Sequence, residues 1–113
     1  MVDLSKNRRI FLRPGTTDMR LGVMGLSKLI GKPETGCAYA FCGAKGRTVK
    51  IIEYEGQSIW LHVKKAPYGV KFSWPDTGSD QEVDKDTLML LLDSIDAVAR
   101  LRSGGKSRET IVY

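Results

Sequence analysis

The stretch AYAFCGAKGRTVKIIEYEGQSIWLHVKKAPYGVKFSW, residues 38–74, decides the fold. Runs rich in β-branched and aromatic residues, at 38–42, 48–54, 58–64 and 69–74, alternate with short gaps that mostly carry glycine, which is the pattern of consecutive antiparallel strands. Successive turns of such a meander fall at alternate ends. The gaps at 43–47 and 65–68 therefore share one end, and 55–57 lies at the other. The shared end holds Lys45, Arg47, Lys64 and Lys65, with Lys50 and Lys71 nearby, and no Asp or Glu lies between Cys37 and Ile52 or between His62 and Lys71. A one-sided positive field speaks about partners rather than about fold.

Register follows from pattern. Pairing Ile51 with Leu61, and Phe41 with Val49, gathers Tyr39, Phe41, Val49, Ile51, Ile59, Leu61, Val63, Val70, Phe72 and Trp74 on one face. A slip of one residue would scatter that set. The other face then holds Trp60 and a transverse row of Lys50, His62 and Lys71. Two lysines flanking a histidine repel one another unless an anion or solvent lies over them. Trp60 would either stand exposed or be covered by the N-terminal arm or the second helix.

A short strand at 10–12 precedes the turn Arg13-Pro14-Gly15. A helix is expected from about Asp18, capped by Thr16 or Thr17, with Met19, Val23, Leu26 and Ile30 as its apolar stripe and Gly31 as its end. Asp84 caps a second helix whose stripe is Leu88, Leu91, Leu92 and Ile95, after a polar loop at 76–82. The expected architecture is α+β: one domain over residues 9–96, an antiparallel four- to five-stranded meander with one face covered by two helices. A flexible arm (1–8) precedes it and a basic flexible tail (97–113) follows.

Composition narrows the function classes. Of 113 residues, 42% are hydrophobic and 27% charged, as in an ordinary globular domain. The net charge of +5 hides a basic body, an acidic segment at 76–96 and a basic tail. No apolar run reaches membrane-spanning length, and the N-terminus has no apolar core of a secretory signal, so a cytoplasmic protein is expected. Cys37 and Cys42 read as reduced thiols, and two cysteines with a single histidine cannot supply four zinc ligands, so neither metal nor cofactor is expected. Gly104-Gly105-Lys106-Ser107 lacks the upstream glycine and strand of a phosphate-binding loop. Asp76-Thr77-Gly78 reads as a turn, since an aspartic-protease site needs two such aspartates. The acids cluster at a helix start and a loop rather than on a strand, where two-metal chemistry would need them. The chain is therefore read as not an enzyme.

Five runs in order carry a family resemblance: residues 9–20 (RIFLRPGTTDMR), 49–56 (VKIIEYEG), 58–61 (SIWL), the pair Lys64-Lys65 with 71–75 (KFSWP), and 88–96 (LMLLLDSID). Together they resemble the Orf2 accessory protein, called TnpB, of the insertion-sequence-66 type of bacterial mobile element. This family is distinct from the RNA-guided nuclease that shares the short name. The resemblance implies a small non-catalytic protein encoded beside a separate transposase, with a supporting role in DNA transposition. Many family members carry a denser arginine cluster in the hairpin that here reads Gly-Ala-Lys-Gly-Arg. Two functions are then expected to compete. The first is DNA binding, at the element's ends, through Lys45, Arg47, Lys50, Lys64, Lys65 and Lys71, with Trp60 and His62 beside the nucleic acid. The second is a protein-interaction module joining the transposase or another element-encoded protein, through the acidic segment and the Trp60/Tyr54 region, without DNA contact. Sequence leaves the oligomeric state open.

Overall fold

The structure is a computed structural model and describes Lys6, residues 9–67 and residues 69–93. The arm apart from Lys6, Tyr68, Ile95 of the second stripe, and the tail with its Gly-Gly-Lys-Ser run lie outside the described residues.

Five strands and two helices follow in the order β1 (Arg9–Leu12), α1 (Val23–Ile30), β2 (Cys37–Cys42), β3 (Thr48–Glu55), β4 (Ser58–Lys65), β5 (Gln81–Val83) and α2 (Lys85–Asp93). They form an α+β domain with one sheet of order β4-β3-β2-β1-β5. All neighbours are antiparallel except β1 and β2, which run parallel with α1 as the connection between them. A parallel pair needs a long crossover, and residues 13–36 supply it.

The three long strands fall where the pattern puts them, but their register is one residue away from the expected one. Ile51 opposes His62 rather than Leu61, and Phe41 opposes Lys50 rather than Val49. The cause is loop length. Gly56 takes φ +57° at the first position of a two-residue loop, where a three-residue loop was expected, and Gly56–Gln57 alone separates Glu55 from Ser58. The consequence is that both faces of the sheet are buried, rather than one. On one face Ile10, Leu12, Ala38, Ala40, Cys42, Val49 and Ile51 pack with Val70, Phe72, Leu88 and Leu92. On the other, Phe41, Ile52 and Tyr54 pack with Leu26, flanked by Met19, Val23, Ile30, Tyr39 and Leu61. So α2 and the 66–74 segment cover one face and α1 covers the other; the two helices do not share a face. Residues 69–74 form no strand, apart from an isolated bridge at Phe72. The fifth strand is instead β5, in what read as the polar loop, paired to β1 and tied by an Arg9–Glu82 salt bridge of 2.9 Å.

The local causes are visible in side chains. The α1 stripe packs as expected, yet the helix starts at Val23 rather than near Asp18. Its N-cap is Gly22 without a side-chain bond, because Asp18 is engaged elsewhere. Asp18 accepts from the Arg20 backbone N–H (2.9 Å) and its guanidinium, and this holds its carboxyl down to about 2. Thr17 caps nothing: its N–H donates to the Cys42 carbonyl, and its buried hydroxyl has no partner among the described residues. Gly31 ends α1 with φ +88°, donating to the Ser27 carbonyl. The second helix follows its reading closely, with Asp84 Oδ1 accepting the Thr87 N–H at 2.7 Å. Across the α1 face, Ser27 Oγ and the Tyr54 hydroxyl lie 2.5 Å apart, and Tyr39 stacks on Phe11 with centroids 5.3 Å apart. Both cysteines are free and buried, and burial pushes the Cys42 thiol up to about 11.

A candidate nucleic-acid interface

One pole of the sheet brings several cationic side chains together. The β2–β3 hairpin closes through Gly43 N–H to the Thr48 carbonyl (2.9 Å) and Gly46 N–H to the Gly43 carbonyl (3.0 Å). Gly46 takes φ +67°, a conformation few side chains tolerate. Thr48 opposes Lys65, so the end of β4 lies beside the start of β3. Two further bonds tie the following segment to the same hairpin: Ala66 N–H to the Arg47 carbonyl (2.9 Å) and Phe72 N–H to the Gly46 carbonyl (2.7 Å). A Cβ on Gly46 would stand 3.0 Å from the Lys71 Cβ, which measures how closely the two segments approach. Lys45, Arg47, Lys65 and Lys71 therefore share one pole, as the meander topology implies. No ion pair to Lys45 or Lys65 occurs among the described residues.

A cleft of about 280 Å³ opens at this pole, lined by Lys45 and Lys71, the Gly43 and Gly46 backbone, Thr16 and Asp76. Asp76 places one carboxylate among the cations. The far side of the cleft comes from the turn after β1, anchored by Gly15 N–H to the Pro75 carbonyl and by the Trp74 indole N–H to the Arg13 carbonyl, both 2.9 Å. Residues 15–16 were not among the sequence candidates. They reach the pole because β1 runs parallel to β2, and the strand–helix–strand order was the available signal for that.

The other candidates lie elsewhere. Lys50 sits on the α1 face, where its ammonium donates to the Met19 (2.8 Å) and Leu21 (3.0 Å) carbonyls. It satisfies the irregular turn leading into α1. Lys64 lies on the α2 face, 3.4 Å from the Asp93 carboxylate. The row of Lys50, His62 and Lys71 does not form, because Lys50 opposes Val63 and His62 opposes Ile51 on the opposite face. His62 Nε2 is hydrogen-bonded to the Glu53 carboxylate, and its ring stacks on Trp60 with centroids 6.1 Å apart at 10°. Trp60 is 55% exposed, so neither arm nor helix buries it among the described residues. Five residues of strand separate it from Lys65, about 16 Å.

Among the described residues no group of three or more His, Cys, Asp or Glu side chains gathers to hold a metal ion, and no helix is long and apolar enough to cross a membrane. Asp80 and Glu82 lie on the β1–β5 side of the sheet; Glu82 is paired with Arg9, and Asp80 lies 3.6 Å from Arg13.

Comparison with known proteins agrees with the resemblance seen in the motifs. No solved structure matches the chain. An uncharacterized protein of Sinorhizobium fredii, y4hO, is 30% identical over 102 residues, which cover 85% of this chain and 88% of that protein. The family described as IS66 Orf2 like protein matches residues 8–102, and the chain belongs to that family.

Proposed function

We propose that the protein is a non-catalytic DNA-binding accessory of transposition, acting in the bacterial cytoplasm and gripping duplex phosphates through the pole formed by the β2–β3 hairpin and the end of β4. Membership of the IS66 Orf2-like family implies an accessory role in transposition. The observation that carries the finer reading is the convergence of Lys45, Arg47, Lys65 and Lys71 through the Ala66–Arg47 and Phe72–Gly46 backbone bonds. Fixed turns hold these four charges, so little backbone entropy is lost when phosphates bind. Lysines and arginine without an adjoining base-reading helix suit phosphate contact rather than base readout.

The test is the fourfold variant with Lys45, Arg47, Lys65 and Lys71 each changed to Ala. Its circular dichroism is expected to match the parent, since none of the four is buried. Its anisotropy titration on labelled duplex DNA is expected to show no saturable binding. Parental affinity in the variant would refute the assignment of this pole.

A second reading has its own support in the exposed Ile59, Trp60 and Val63 of β4. Exposed aromatic and aliphatic groups anchor protein interfaces, and the transposase or another protein of the same element is the partner this reading names. Co-purification of the two in nuclease-treated extract, at salt that abolishes DNA binding, would favour it.

A further inference from the structure

We infer that β4 is a self-complementary edge and that two copies of the chain join through it, extending the sheet across a two-fold axis. The edge is long and unguarded. β4 has eight residues in unbroken register with β3, without a bulge or a proline, and nothing among the described residues pairs with its outer side. It is also unusually apolar for an edge, with Ile59 43%, Trp60 55% and Val63 48% exposed. Edge strands of monomers are ordinarily protected by bulges, prolines or charges along their length. Here the charges stand only at the end, as Lys64 and Lys65.

The register fixes the occupant. Glu55 and Ser58 close a two-residue loop, so that pair exchanges both of its backbone hydrogen bonds, and alternation turns the N–H and C=O groups of Ile59, Leu61 and Val63 outward. A two-fold axis through Leu61 sets Leu61 against its own copy and Ile59 against Val63 of the second copy, so the outward groups meet. On that face two Ile–Val pairs flank a Leu–Leu pair. On the other face Trp60 meets His62 of the second copy, and Lys64 meets Ser58, whose neighbour on β3 is Glu55. No like charges oppose each other. Moving the axis to His62 would instead set Ile59 against Lys65 and Trp60 against Lys64. An axis at Trp60 would leave Val63 against Gln57. Only the axis at Leu61 gives both Ile59 and Val63 an apolar partner.

The joined strands run antiparallel, so the two basic poles point away from each other. Holding two DNA segments at once is a corollary that rests on the DNA reading above. The dimer itself does not rest on it and is measured without DNA.

Sedimentation of the full chain without DNA is expected to show a concentration-dependent rise from 12.6 kDa to twice that mass. The variant Ile59→Lys/Val63→Lys sets lysine against lysine twice and is expected to remain monomeric with unchanged circular dichroism. Ile59→Glu/Val63→Lys sets glutamate against the introduced lysine twice in this register and is expected to restore the doubled mass. Should the charged variants misfold, Leu61→Cys is expected to give an interchain disulfide under mild oxidation, while His62→Cys is not. A parent that is monomeric at every concentration would overturn the proposal, leaving a strand from another protein as the occupant. Failure of the Glu/Lys swap to restore dimers would equally overturn it.

Discussion

Replacing Lys50 with Met separates structural from electrostatic roles within the basic body. The ammonium of Lys50 donates to two carbonyls, those of Met19 and Leu21, at 2.8 and 3.0 Å, in a partly buried site beneath the turn that launches α1. Methionine keeps most of the apolar stem and removes the donor. A hydrogen bond from a charged group is worth about 1.5–3 kcal/mol, and solvent reaching a partly buried site holds the loss for the pair to about 2 kcal/mol. A domain of this size loses about 4–8 °C of Tm per kcal/mol, so the melting midpoint should fall by roughly 8–16 °C. Thermal melts by circular dichroism read that shift. The same preparation, titrated with DNA well below its melting point, should keep the parental salt dependence. Had Lys50 contacted a phosphate, the log–log slope would shrink by about 0.9. An unchanged Tm together with a weakened, flatter salt response would refute the placement of Lys50 in the fold.

Other consequences are as direct. Thr17→Val removes a buried hydroxyl that lacks a partner among the described residues, so Tm should rise, by about 1 kcal/mol of stability; a lower Tm would reveal a hidden bond. The Asp18 carboxyl should titrate near 2 by NMR and return toward 4 in Arg20→Ala, since the Arg20 bonds cause its depression. Because the folded value is lowered, its contribution to stability is present above about pH 4 and is lost as pH falls toward 2. Both thiols should resist alkylation at pH 8 in the folded protein, with Cys42 held near 11 by burial, and react fully in denaturant. Rapid native labelling would contradict the buried placement of β2.

The long strands, the stripes of both helices and the Asp84 cap were legible because each rests on a local signal. The layering was not. The run from Cys37 to Cys42 is apolar throughout and alternates small Ala38 and Ala40 with large Tyr39 and Phe41. Such a run belongs to a strand buried on both faces, and it was read as one-sided. That choice, with a loop taken one residue too long, moved Lys50 to the wrong face and built a cationic row that does not exist. The basic pole survived the error because turn ends depend on strand order rather than on register. β5 was hidden because Gln81, Glu82 and Val83 lack strand character and are held by pairing with β1 and by Arg9.

The salt dependence of DNA binding by the unaltered chain tests the central claim most directly. Four cations meeting phosphates give a log–log slope of roughly −3.6, so affinity for duplex DNA should fall on the order of 100-fold between about 50 and 200 mM salt. Absence of binding at the lower salt, or an affinity that salt leaves unchanged, would contradict it.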